Sequence, residues 1–248
     1  MKALEFINVT KNFCHNDEII NVLDNLSFNV EEGEIVAIVG PSGAGKSTIL
    51  NLISDLISPT SGKVITNGNI GYMFQRDCLL EWKNVYDNVL LYKSINKKKL
   101  SFEEINKIDI EAERLLKEYG LWEFRNNKPN SLSGGMRQRV ALIRTLLSFP
   151  DLILLDEAFS ALDYQTKLKV SEDIYKIIKK EEKTAIMVTH DIGEAISMGD
   201  KIIVLSNRPA HIKKILDIDM EEKGPINRRK SKAFQNYFDE IWGVIDNG

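Results

Sequence analysis

The stretch best equipped for chemistry is Gly40-Pro41-Ser42-Gly43-Ala44-Gly45-Lys46-Ser47-Thr48. A glycine, four residues and then Gly-Lys-Ser is the pattern of a phosphate-binding loop. Gly40, Gly43 and Gly45 can take backbone angles closed to other residues and let a phosphate approach closely. Successive amide N–H groups then form an anion-binding concavity at a helix N-terminus. Lys46 adds a point charge for the outer phosphates, and the Ser47 hydroxyl suits Mg²⁺. The alternative is a Gly/Ser turn with a chance lysine, and the flanks argue against it. Ile35-Val36-Ala37-Ile38-Val39 reads as a buried parallel strand, and Ile49, Leu50, Leu52, Ile53 and Leu56 give a helical apolar face. The chain is expected to bind a nucleoside triphosphate.

More candidate groups stand at predicted strand ends. Leu152-Ile153-Leu154-Leu155 predicts a buried strand that ends in Asp156-Glu157. Two carboxylates at the tip of a buried strand are costly without partners, and the tip of an open sheet is where ligands sit. The first suits Mg²⁺ and the second a base that polarises water. Ala185 to Thr189 predicts another strand, ending at His190, within reach of a terminal phosphate. Elsewhere such a histidine would be a cap or a surface residue. Ser133-Gly134-Gly135 opens a helix with Met136, Val140, Ile143 and Leu147 on one face. It is either a second anion site or a plain helix start. Gln75 at a strand end reads alone as a surface residue. Asn106-Lys107-Ile108-Asp109 matches a guanine-reading motif, but charged, helix-patterned residues precede it where a buried strand is needed. It is a coincidence within a helix.

The elements around these groups follow from pattern. Residues 3–9 and 20–30 predict strands, with Leu26, Phe28 and Val30 alternating, and Phe13 between the two. Phe13 is either a hydrophobic plug or a ring for a nucleotide base. Residues 63–66 and 69–74 predict a hairpin around Asn67-Gly68. Leu79, Leu80 and Trp82 form a loop cluster, either tucked in or an exposed docking patch. Residues 101–120 are helical, with Ile108, Ala112, Leu115, Leu116 and Tyr119 in register. Val170, Ile174, Ile177 and Ile178 mark another helix, and Phe234, Phe238, Ile241, Trp242 and Ile245 a last one. Arg228-Arg229-Lys230-Ser231-Lys232 reads as a solvated linker. The 248 residues suffice for a full core, and 43% apolar with 28% charged is ordinary for a globular protein. A net charge of −3 gives no basic field for nucleic acid. No run approaches the ~20 apolar residues of a membrane span. Cys14 and Cys78 are isolated and fit a reducing compartment.

Taken in order, the motifs resemble the ATPase subunits of ATP-binding cassette (ABC) transporters over essentially the whole chain. The set is 40–48, Gln75, Leu132-Ser133-Gly134-Gly135, Leu152 to Glu157, Ser160 to Asp163 and His190. The resemblance implies an α/β fold: a P-loop NTPase core with a parallel sheet, a small antiparallel β subdomain and an inserted helical subdomain. It implies a single domain over 1–248, with the nucleotide core at about 1–86 and 150–225, the helical subdomain at about 87–149 and a C-terminal helix at about 231–245. It also implies a head-to-tail dimer with ATP between the phosphate loop of one copy and the Ser-Gly-Gly turn of the other. On these terms Phe13 stacks on adenine, Lys46, Ser47 and Thr48 hold phosphates and Mg²⁺, and Gln75 and Asp156 contact the metal or attacking water. Glu157 is the general base and His190 contacts the γ-phosphate. Ser133, Gly134 and Gly135 serve the opposing site, and Asp163 lies across the dimer interface. Met136 stands where the family most often has glutamine, Ala158 replaces a frequent proline, and Phe13 replaces a tyrosine.

Leu79-Leu80-Glu81-Trp82-Lys83-Asn84-Val85, Leu132 to Val140 and Phe159 to Asp163 look like the branch serving nitrate, sulfonate and taurine importers. Glu81 departs from that branch's usual proline. The branch implies two membrane permeases, an external substrate-binding protein and a place on the cytoplasmic face of the membrane. Those partners, not this chain, choose the substrate. Two rival functions are an export or lipoprotein-release cassette and a non-transport ATPase acting on DNA or ribosomes. The Phe159-Ser160-Ala161 form favours an importer. The chain also lacks the long coiled-coil insertion of DNA-repair types and the second cassette of ribosomal types.

Overall fold

Alternating apolar and polar residues make the N-terminal part of the chain a pair of long antiparallel strands, β1 (Lys2–His15) and β2 (Glu18–Glu31). The computed structural model describes residues 1–15, 18–160 and 162–246. Leu26, Phe28 and Val30 face inward from β2, as their alternation requires. Phe13 does not lie between the strands: β1 runs on to His15, and Phe13 pairs across with Ile20.

The all-apolar β3 (Ile35–Val39) is buried along its whole length. Helix α1 (Lys46–Ile53) follows the glycine loop. Next come β4 (Ser61–Thr66) and β5 (Ile70–Met73), which do not form the expected hairpin. β4 joins β1 in a sheet of order β2-β1-β4, whereas β5 opens a second sheet. The turn between them is held from both sides. Asn67 donates to the carbonyls of Ala3 and Lys2, while Asp151 accepts from the Asn69 amide at 2.7 Å. Gly68, at φ +89°, lets the chain pass so close to Asp151 that a Cβ there would lie 2.1 Å from its carboxylate.

Between β5 and the next strand lie four helices: α2 (Val85–Val89), α3 (Leu91–Asn96), α4 (Phe102–Glu118) and α5 (Gly134–Leu146). The first two are short and escape periodicity. A capping box of Ser101 and Glu104 starts α4, and this helix contains 106–109, as the rejection of the guanine motif requires. The chain then alternates: β6 (Leu152–Asp156), α6 (Tyr164–Lys180), β7 (Thr184–Thr189), α7 (Ile192–Met198), β8 (Lys201–Leu205) and β9 (Ile212–Asp217). The larger sheet has the order β5-β6-β7-β3-β8-β9, parallel except for β9. Side chains alternate across it. Ile35, Ala37 and Val39 join a core with the helices on one face, while Val36 and Ile38 join a core with α1 and the antiparallel sheet on the other.

Helices α8 (Pro225–Arg228) and α9 (Lys232–Asp246) close the chain. Ile241 is the buried anchor of α9, and Lys213 donates to the Val244 carbonyl. The basic run is not a solvated linker. Arg228 is only 2% exposed, because its guanidinium donates to the carbonyls of Ile196, Ser197 and Gly199 at the end of α7. Those carbonyls lack partners within their helix, so the buried Nη1 gives them a donor, while the buried Nε of Arg228 has no hydrogen-bond partner.

Arg228→Ala is therefore expected to destabilise the chain by about 2–3 kcal/mol, by leaving buried carbonyls unpaired. For a chain of this size that lowers the Tm by about 4–12 °C. An unchanged melt would show that the clamp contributes nothing.

Candidate nucleotide site

Parallel register gathers the candidate residues. Val39 in β3 pairs with Thr189 in β7, and Asp156 in β6 pairs with Val188. The chain therefore leaves the sheet at Gly40, Glu157 and His190 along one edge, the carboxyl ends of the strands. Glu157 departs sharply. Its φ is +44°, and its amide donates to the Val188 carbonyl at 3.1 Å. A left-handed backbone is uncommon outside glycine, and it ends β6 where the carboxylate is presented.

The glycine loop wraps the head of α1. Gly45 takes φ +91°, and a Cβ there would lie 2.8 Å from Leu23 and 2.9 Å from Val22, so strand β2 packs directly under the loop. Lys46 is 6% exposed and donates to the carbonyls of Gly40 (2.8 Å) and Pro41 (2.9 Å). Burial lowers its pKa, against the pull of Glu157 and Asp156. Two of its three donors are thus held by its own loop, which fixes the ammonium in place. The loop, Ser47, Thr48, Glu157 and Arg208 line a cavity of about 270 Å³.

Ser47 Oγ donates to Asp156 Oδ1 at 3.3 Å, and Tyr72 Oη donates to Asp156 Oδ2 at 2.9 Å. Burial, then the Asp156 charge, pushes the Tyr72 hydroxyl far above its ordinary pKa, so it stays a donor. The Glu157 carboxylate is bracketed. Gln75 Nε2 donates to one oxygen at 3.4 Å and to Ser160 Oγ at 3.1 Å, while His190 Nδ1 lies 3.4 Å from the other oxygen. Lys46, Ser47, Gln75, Asp156, Glu157 and His190 therefore share one site.

The remaining candidates lie apart from it. Phe13 is 38% exposed, with Lys11 Nζ 4.9 Å from its ring centroid. Ser133 N-caps α5, accepting from the Met136 amide. Asp163 N-caps α6, and the hydrogen bonds from Thr166 lower its pKa. Gly134 and Gly135 pack on Leu162 and Val170. Ala161 lies outside the described residues. Leu79 is buried and Trp82 is 73% exposed, so the loop cluster divides between the two readings.

Sequence pattern missed Tyr72, Lys167 and Arg208, and gave Ser160 no role beyond its place in the 160–163 motif. Lys167 pairs with Asp191 (2.7 Å) and Glu194 (2.8 Å), tying α6 to the helix that follows His190. Tyr72 had a signal in its place on a strand one residue before Met73 ends it, but its partner Asp156 depends on which strand lies alongside.

The oxygen set fits Mg²⁺. Ser47 and Asp156 offer hard oxygen donors side by side, and Mg²⁺ binds through one or two such groups plus phosphates and waters. Among the described residues no cluster of three or more His, Cys, Asp or Glu side chains stands ready for a metal, as a site completed by the nucleotide requires.

Comparison with known proteins agrees with this geometry. Residues 23–160 match the ABC transporter family. The chain belongs to that family, and it is an ATPase. Among its relatives is YtlC of Bacillus subtilis (strain 168), described as an uncharacterized ABC transporter ATP-binding protein. It is 41% identical, over 99% of this chain and 96% of the relative. The taurine import ATP-binding protein TauB of Ruegeria pomeroyi is 34% identical, over 99% and 94%. The dimeric post-hydrolysis state of the ATP-binding cassette MJ0796 with ADP and Pi superposes with a TM-score of 0.71 at 36% identity, covering 88% of this chain and 99% of that one.

Tyr72→Phe removes the donor that orients Asp156. It is expected to raise the Mg²⁺ concentration for half-maximal ATP hydrolysis by about 10-fold. An unaltered Mg²⁺ titration would detach Tyr72 from the metal's surroundings.

Proposed function

We propose that this chain is the ATP-hydrolysing subunit of a membrane importer for nitrate, a sulfonate, taurine or a similar small organic anion. The observation that carries the reading is the Glu157 carboxylate, bracketed by Gln75 and His190 beside the Lys46 loop. A carboxylate so held can accept a proton from an attacking water, while Gln75 and His190 fix its direction. Phe13 offers its exposed face to the adenine, and free amide N–H groups of the glycine loop, together with Lys46, hold the phosphates. Ser47, Asp156 and Gln75 hold Mg²⁺, which neutralises phosphate charge.

Two copies act head to tail. Ser133, Gly134 and Gly135 of each close on the nucleotide of the other, with Asp163 at the interface. The exposure of Ser133 and Gly134 at the start of α5 supports this, because a second copy can reach them. The likeness to a dimeric cassette supports it further. The relative named for taurine import supports the importer reading. No helix among the described residues is long and apolar enough to cross a membrane, so permease subunits carry the pathway. An external binding protein delivers the substrate, and this chain sits on the cytoplasmic face.

Glu157→Gln tests the base. It is expected to bind ATP, to hydrolyse it about 10²–10⁴-fold more slowly, and to run as a dimer with ATP and Mg²⁺ in size-exclusion chromatography. Near-normal turnover would remove Glu157 from this role.

Trp82, exposed beside buried Leu79 in the loop after Gln75, is the anchor for a permease helix. Trp82→Ala is expected to keep its melting temperature and ATP binding while losing copurification with the permease. A destabilised variant that still assembles would refute the docking role.

A further inference from the structure

Arg208 stands in the turn between β8 and β9, far in sequence from the phosphate loop, yet it forms a wall of the phosphate cavity. Its Nε donates to the Gly43 carbonyl at 2.5 Å. The guanidinium has four more donors, on Nη1 and Nη2. Among the described residues these meet no carboxylate and no other hydrogen-bond acceptor. The side chain is exposed. A cation anchored by one edge, with its other donors free at the rim of an anion-binding cavity, is arranged for a ligand.

The turn that carries it also reaches the antiparallel sheet. Ala210 donates to the Val22 carbonyl at 2.9 Å and accepts from the Asp24 amide at 2.8 Å. The residues from Arg208 to Ala210 therefore span from the phosphate loop to the sheet in which Phe13 pairs with Ile20.

We infer that Arg208 is a nucleotide-binding residue, giving charge-assisted hydrogen bonds to the polyphosphate of a nucleoside di- or triphosphate from the rim of the cavity. This rests on the proposed ATP site. It adds a second cation to Lys46, placed at the open side where phosphates enter. The alternative role is a brace that only shapes the loop through the Gly43 carbonyl.

The two roles part under salt, because an exposed charge is screened at a Debye length of about 3 Å in 1 M salt whereas a loop's shape is not. ATP and ADP binding is measured by calorimetry at about 0.05 M and 1 M salt for the wild type, Arg208→Gln, Arg208→Lys and Lys46→Ala. Arg208→Gln is expected to bind both nucleotides about tenfold more weakly at low salt, with the gap closing at high salt. Arg208→Lys is expected to recover most of the affinity. An Arg208→Gln protein that binds as tightly as wild type would overturn the inference, and so would a loss of equal size at both salt concentrations. Lys46→Ala keeps the outcomes separate. If the wild type and Lys46→Ala both fail to bind, the proposed site itself fails. If Lys46→Ala alone loses binding and Arg208→Gln does not, the site stands and the role of Arg208 falls.

Discussion

The site depends on the register of three buried strands. β3, β6 and β7 are apolar on both faces, and each is hydrogen-bonded to a parallel strand on either side, with β5 and β8 flanking the three. A slip of one residue between β6 and β7 would turn every side chain to the opposite face. It would also move Asp156 and Glu157 along the sheet edge by about 3.3 Å, which exceeds the tolerance of the Ser47–Asp156 and Gln75–Glu157 contacts. The dense apolar sheet therefore locates the polar groups. Its burial makes the wrong register costly, and its ends are where polar side chains can reach water and ligands.

Around that edge the helices act as holders of loops. Asp191 caps α7 directly after His190 and pairs with Lys167 on α6, while Arg228 closes the far end of α7. The segment bearing His190 is thus fixed at both ends of a short helix. On the other side, Arg137 on α5 reaches Asp77 at 2.7 Å and Glu81 at 2.7 Å, so the loop after Gln75 is tied to the helix opened by Ser133. Glu81, the departure from the branch's usual proline, makes one of these ion pairs. The loop after Gln75 is thereby joined to α5 and carries the exposed Trp82.

Much of this was legible before the fold was known, and the reason is locality. The glycine loop, the strand ending in Asp156-Glu157 and the strand ending at His190 each carry their meaning within about ten residues. So do the capped starts of α4 and α5, where one side chain meets an amide three residues on. What escaped depends on which segments lie side by side. The period of β4 and β5 is the same whether they pair with each other or join different sheets. Phe13 fell inside a strand because β1 continues through polar residues that its partner supports. Tyr72, Lys167 and Arg208 work through residues distant in sequence, and Arg228 looks like solvated charge until three helix-end carbonyls surround it.

The glycines that open α5 bear on mutational tolerance. A Cβ on Gly134 would lie 2.9 Å from Leu162, and one on Gly135 would lie 2.7 Å from Val170. Gly135 therefore resists added volume in a single copy of the chain, because Val170 is buried, whereas at Gly134 only the tip of the flexible Leu162 side chain would have to give. Ser133 is exposed and accepts from the Met136 amide, so a change there removes the cap of α5.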